Sequence, residues 1–280
     1  MEIRLAKKAG FCFGVKRAVD LAFESKQIEG TYTFGPIIHN DRVIAELKEQ
    51  GVNPIDTLEG QDLKRLIIRS HGVAPTVYEL AKKQDIDIVD ATCPYVKKIH
   101  KLVQEHSQKG YAILIIGDCD HPEIQGISGW ATAGCFIVKD KMACEMQNLP
   151  KKERTYLVVA QTTYKKEVVQ EVVDYLKEQG YHFKFINTIC NATKERQDEA
   201  AQMAQEVDAM LIIGSNFSSN THKLYEVCQI YCKKSYCIAE ASELDKSLLE
   251  GCERIGITAG ASTPHSVIEE VIAKLKQLND

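Results

Sequence analysis

Cys12, Cys93 and Cys190 lie far apart in this 280-residue chain, yet each opens a similar pattern. Apolar residues recur at helical spacing after each one: Val15, Ala18, Val19 and Ala22; Val96, Ile99 and Val103; and, beyond a polar turn, Ala200, Met203, Ala204 and Val207. Pro94 suits the first turn of the second helix, where its missing N–H is no loss. A cysteine just ahead of a helix feels the positive end of the helix dipole, which favours thiolate. Taken singly, each reads more readily as a small buried thiol. Taken together, three thiolates meeting on one axis form a soft, negatively charged site that suits an iron–sulfur cluster. The repeat offers no fourth protein ligand, so one iron of a [4Fe–4S] cubane would stay open. Such an iron is a Lewis acid for a substrate oxygen, and the cluster supplies electrons singly. The two abilities together point to reductive removal of a hydroxyl.

Polar residues with matched placement surround this expectation. His39, His71 and His121 lie in GPIIHN, RSHG and HPE, each after a strand-like run. Imidazoles there can donate to phosphate oxygens or relay protons, although a single loop histidine is commonly just solvated. Ser218-Ser219-Asn220 and Gly260-Ala261-Ser262 are small donor-rich loops ahead of helices. They can wrap a diphosphate, or simply cap the helices. Glu123 directly follows the His121-Pro122 pair. Negative neighbours would raise its pKa and keep a proton available for a leaving hydroxyl. Thr162 and Thr163 in AQTT can orient or relay that proton; the bland alternative is a strand-end pair. The spacing of Cys228, Cys232 and Cys237 fits no common zinc pattern, and these, like Cys119, Cys135, Cys144 and Cys252, read as structural. His100, His106 and His182 have no matched placement.

These groups need elements to hold them, and the chain supplies the elements three times over. Strand-like runs ending in Gly35, Gly117 and Gly214 follow the three cysteines at nearly the same offset. A second strand and helix come next, in LIIRSHGVAPTVYELAKK, YLVVAQTTYKKEVVQEVVDYLKE and IGITAGASTPHSVIEEVIAKLKQ. A further strand then delivers the next cysteine: IDIVDATC, HFKFINTIC and, at the N-terminus, EIRLAKKAGFC. The alternation predicts an α/β fold with mainly parallel sheets and ligands beyond the strands' carboxyl ends. We expect three similar α/β domains in pseudo-threefold arrangement around a central iron–sulfur cluster, spanning 13–96, 97–193 and 194–280, the last completed by 1–12.

Composition narrows the partners. Hydrophobic residues at 44% and charged residues at 26% are ordinary for a globular chain. A formal net charge of -4 supplies no global attraction to nucleic acid or anionic lipid. No apolar run approaches the roughly 18 residues of a membrane span, and no apolar signal core follows Met1. Ten cysteines are too dilute for a disulfide scaffold. A cytoplasmic protein is expected. Neither a phosphate-binding GxxxxGK motif nor GxGxxG is present, which argues against nucleotide chemistry.

GFCFGVKRAV, GPIIHN, RSHGV, DATCPYV, HPE, QTT, TICNATKERQ, GSNFSSNTHKL and TAGASTP together resemble the 4-hydroxy-3-methylbut-2-enyl diphosphate reductase (LytB) family over nearly the whole chain. The resemblance implies one [4Fe–4S] cluster on Cys12, Cys93 and Cys190. It implies a diphosphate held by His39, His71, Ser218, Ser219, Asn220 and Ser262, with His121 and Thr162 lining the site. Glu123 matches the family's proton donor. The implied reaction is a two-electron, two-proton dehydroxylation yielding isopentenyl and dimethylallyl diphosphates, the last step of the methylerythritol phosphate route to isoprenoids. The implied electron donor is a ferredoxin or flavodoxin. Cys119, two residues before His121, departs from the expected pattern. The rival readings are a quinolinate-synthase-like dehydratase, needing no electron donor, and a cluster-based sensor, needing a partner or DNA surface.

Overall fold

Short runs of β-branched and aliphatic residues, each followed by a turn and a helix, must bury both faces, and parallel sheets covered by helices do this. In the computed structural model the chain forms twelve strands among the described residues, which are all except 61, 148, 151–153, 216 and 280. β1 (Glu2–Leu5) precedes the first group, β2 (Thr31–Phe34), β3 (Asn53–Ile55), β4 (Arg65–Ile68) and β5 (Asp87–Asp90). The second group is β6 (Ala112–Ile116), β7 (Cys135–Val138), β8 (Tyr156–Ala160) and β9 (Phe183–Phe185); the third is β10 (Ala209–Ile213), β11 (Ser235–Ile238) and β12 (Arg254–Ala259). The pairings among these strands are parallel.

The three sheets share one order: β3-β2-β4-β5, β7-β6-β8-β9 and β11-β10-β12-β1. The N-terminal strand thus fills, beside β12, the place that β5 and β9 fill in the other sheets. Three similar α/β units result, as the repeat requires. By contacts the chain divides into two compact units. Met1–Lys16, Ile38–Ala45 and Asn191–Asp280 carry the third sheet, and Arg17–Ile37 with Glu46–Cys190 carries the other two.

Each sheet sits between helices. The helices are α1 (Phe13–Glu24), α2 (Asp41–Glu49), α3 (Pro75–Lys83), α4 (Pro94–Gln108), α5 (Pro122–Ser128), α6 (Lys141–Met146), α7 (Lys166–Glu178), α8 (Asn191–Ala204), α9 (Ser219–Tyr231) and α10 (His265–Asn279). The run Ala112 to Ile116 is fully buried: its two faces feed separate clusters, one with Val169, Val172 and Val173 of α7, the other with Ile99 and Val103 of α4. At roughly 1.5–3 kcal/mol per buried large aliphatic side chain, the central strands anchor the loops at their carboxyl ends. Among the described residues no helix is long and apolar enough to cross a membrane.

Some expectations needed refining. The short outer strands β3 and β7, and the short helices α2, α5 and α6, were not read from the sequence. Glu123, expected in a loop, lies in the first turn of α5. His100 and His106 are buried rather than solvated.

Candidate active site

Each of the three cysteines stands immediately before a helix: Cys12 before α1, Cys93 before α4 and Cys190 before α8. Each peptide N–H is also bonded to the loop after the third strand in the shared sheet order, β12, β4 or β8. Cys12 N–H donates to Ala261 O at 3.3 Å, Cys93 to Ser70 O at 2.9 Å and Cys190 to Thr162 O at 3.0 Å. The shared position read from sequence therefore has a shared backbone bond beneath it.

Two arginines reinforce the approach to these cysteines. Arg17 of α1 donates to Asp90 O at 3.1 Å and Thr92 O at 3.3 Å, just ahead of Cys93. Arg196 of α8, 3% exposed, donates to Lys8 O at 2.8 Å and Gly10 O at 2.6 Å, just ahead of Cys12. Before Cys190, Thr188 secures the chain in a similar way. Its hydroxyl accepts Ala160 N–H at 2.8 Å and donates to Ala160 O. Neither arginine nor Thr188 stands out in the sequence; their presence inside the family motifs is the only signal.

The donor set fits a soft metal centre. Cys12, Cys93 and Cys190 are half-buried and form no disulfide. By contrast burial pushes Cys135, Cys144 and Cys237 up to about 11 and Cys228 up to about 12, so these thiols stay protonated. Cys232 donates its thiol to Asp208 O and Lys234 O. Cys119 is exposed.

In the larger unit, the loops after β4, β6 and β8 and the first turn of α5 bring His71, His121, Thr162 and Glu123 onto one scaffold. The rings of His71 and His121 meet edge to face at 5.3 Å. His121 caps α5, its Nδ1 accepting the Glu123 N–H at 3.1 Å. That bond makes Nε2 the protonated nitrogen of the neutral ring, a donor that capping does not use. Glu123 is 2% exposed, and its carboxyl takes both the Thr162 N–H and the Thr162 hydroxyl at 2.6 Å each. Burial raises its pKa to about 7, against the lowering effect of the two Thr162 bonds. The direction matches expectation, but desolvation alone produces it, before any anion binds. Gln161, fully buried, fixes the neighbourhood: its Oε1 accepts Asp118 N–H and its Nε2 donates to Thr163 Oγ1, both at 3.1 Å.

In the other unit, Ser218, Asn220 and Ser262 are buried where α9 begins beside the loop after β12. Ser218 Oγ accepts Thr221 N–H at 3.3 Å and lies 3.5 Å from Ser262 Oγ. Asn220 is 4% exposed, yet neither its amide nitrogen nor its amide oxygen has a hydrogen-bond partner among the described residues. Ser219 is half-buried beside it. Gly214 and Gly260 let this corner close: a Cβ on either would stand 2.5 or 2.3 Å from Thr221 Oγ1. His39, half-buried, directly precedes Asn40, whose Oδ1 accepts Val43 N–H at 3.1 Å and so starts α2.

The LytB protein family matches residues 3–276. The chain belongs to the LytB family. A 4-hydroxy-3-methylbut-2-enyl diphosphate reductase of Caldanaerobacter subterraneus subsp. tengcongensis is 45% identical, over 99% of this chain and 98% of that protein. The enzyme so named in Clostridioides difficile is 44% identical, over 99% and 100%. Among solved structures, (E)-4-hydroxy-3-methyl-but-2-enyl diphosphate reductase, described as the terminal enzyme of the non-mevalonate pathway, matches with TM-score 0.72 and 41% identity over 99% of this chain and 100% of that one. The Plasmodium falciparum reductase matches with TM-score 0.91 and 30% identity over 100% and 88%. This LytB chain therefore shares its whole length with reductases, and nothing favours the dehydratase or sensor reading.

Proposed function

We propose that this LytB protein is a cytoplasmic 4-hydroxy-3-methylbut-2-enyl diphosphate reductase, acting at the end of the methylerythritol phosphate route. The observation that carries the reading is the buried Glu123–Thr162 pair, a carboxyl poised near neutrality and bonded to the loop that receives the Cys190 N–H. Members of this family are iron–sulfur enzymes. Cys12, Cys93 and Cys190 would hold one [4Fe–4S] cluster with an open iron, at the centre of the three α/β domains 13–96, 97–193 and 194–280 plus 1–12. When bound, the cluster would supply two electrons, drawn from a ferredoxin or flavodoxin, and a Lewis acid for the substrate hydroxyl.

The chain's own groups do the rest. His39, His71, Ser218, Ser219, Asn220 and Ser262 would bind the diphosphate. Asn220 has amide donors buried and unspent, the state expected of a group kept for a ligand. His121 offers Nε2–H while its Nδ1 stays committed to α5. Glu123 holds the proton. Its Oε1 accepts a peptide N–H that never leaves, so the proton resides on Oε2, facing Thr162 Oγ1. The Thr162 hydroxyl can pass it to the departing oxygen, and two electrons with two protons convert the allylic alcohol to hydrocarbon and water. The test is an anaerobic assay with a chemical reductant: two electrons should be consumed per substrate, giving isopentenyl and dimethylallyl diphosphates. Conversion without reductant would overturn the reading.

A further inference from the structure

His71 stands in a tight loop. Gly72, at φ +71, closes the turn with its N–H on Arg69 O at 3.0 Å. One side of the loop is bonded to Cys93 through Ser70 O. The other side rests on two aromatic rings that the proposed chemistry does not use. His100 of α4, 4% exposed, lies flat on Trp130, with centroids 5.2 Å apart and planes at 22°. Trp130 Nε1–H donates to Val73 O at 3.0 Å. His100 presses on Gly72 so closely that a Cβ there would stand 2.5 Å from His100 Cε1. The same loop is met by α5, the helix that carries Glu123: a Cβ on Gly126 would stand 3.2 Å from Gly72 O.

We infer that His100 and Trp130 are positioning residues, whose stacked rings hold the His71 loop against α5 and so set where the His71 imidazole stands relative to His121 and Glu123. Shape is the agent here. Burial pushes the His100 pKa down to about 4, so the ring is neutral at working pH. Its Nε2 has no hydrogen-bond partner among the described residues, so no polar bond at that atom explains a histidine at this place. The inference rests on the reading of His71 as a diphosphate ligand.

The test is a double-mutant cycle on the anaerobically purified holoenzyme, read as affinity for inorganic pyrophosphate by calorimetry. His71→Ala, His100→Ala and Trp130→Phe should each weaken binding, the last two by about tenfold, the scale of one lost hydrogen bond. With His71→Ala already present, His100→Ala or Trp130→Phe should add nothing, because the residue they position is gone. Val173→Ala, in the core cluster around α7, should lower Tm and leave pyrophosphate affinity unchanged. If His100→Ala does not fold, Trp130→Phe completes the cycle alone. Full additivity with His71→Ala, or unchanged affinity in Trp130→Phe and His100→Ala, overturns the inference. Unchanged affinity in His71→Ala itself removes the diphosphate reading, and the inference with it.

Discussion

The carboxyl of Glu123 is bonded twice to one residue, Thr162: Oε1 to its peptide N–H and Oε2 to its hydroxyl, both at 2.6 Å. The two follow neighbouring strands of one sheet, Glu123 in the first turn of α5 beyond β6 and Thr162 in the loop after β8. Because the Thr162 carbonyl in turn accepts the Cys190 N–H, the proposed acid and a proposed cluster ligand are bonded to the same residue. Glu123→Gln keeps both bonds available and the side chain's size, but has no proton to release. We expect iron content and pyrophosphate affinity to persist while turnover falls roughly 10²-fold or more, the scale of general acid catalysis. Turnover near the parent value would remove Glu123 from the donor role.

The same pair makes a stability prediction. Below the ordinary carboxyl value of 4.5, folded and unfolded chains both hold the Glu123 proton, and burial exacts nothing. As pH rises toward about 7, only the unfolded chain releases it, so folding loses stability; above about 7 the loss levels off at about 3 kcal/mol. Glu123→Gln lacks this contribution. Urea unfolding should find the variant more stable than its parent at about pH 8 and equal to it at about pH 3.5, below both carboxyl values. Equal stability at both values would show that the carboxyl is not desolvated in solution.

Cluster loss should follow position before a helix rather than thiol count. Cys12→Ser, Cys93→Ser and Cys190→Ser are each expected to abolish iron binding, whereas Cys119→Ser, at an exposed position, should retain most of it. Mössbauer spectra of anaerobic samples check this directly. Retained iron in Cys93→Ser with an empty Cys119→Ser would reverse the assignment.

Much of this was legible in the sequence for a physical reason. A repeat that must bury parallel strands writes the same aliphatic runs and the same closing glycine each time, so Gly35, Gly117 and Gly214 locate the loops from spacing alone. Short elements were less visible. β3 and β7 are outer strands of three and four residues, and α5 has Gly126 at its middle, where helix propensity is poor. Arg17 and Arg196 look like ordinary helix-surface cations; only their bonds to carbonyls distant in sequence reveal what they hold. His100 was unreadable for the same reason, since its partner Gly72 is defined by tertiary contact alone.

Arg196 yields a prediction of its own. It donates to two carbonyls in the segment that leads to Cys12. Arg196→Met keeps the apolar stem and deletes the donors, leaving the buried Gly10 carbonyl unmet at a cost of about 1–3 kcal/mol. We expect the variant to fold, and to lose iron to a chelator many times faster than the parent. An unchanged rate of iron loss would show that Cys12 is held in place without it.

Asn220 offers the sharpest separation of binding from stability. An asparagine kept for structure has its amide paired, and its removal lowers stability. Asn220 is buried with neither amide atom partnered among the described residues. Burial without partners costs on the order of 1–3 kcal/mol per group, borne by the free protein and recovered only when a ligand accepts the bond. Asn220→Ala removes that cost along with the donor. Two opposite effects should therefore appear together: Tm unchanged or higher, and pyrophosphate affinity lower by about tenfold or more. Ser218→Ala is the internal contrast, because Ser218 also caps α9; it should lose both affinity and about 1 kcal/mol of stability. A lower Tm with unimpaired pyrophosphate binding in Asn220→Ala would mark the residue as structural and detach this corner from the diphosphate.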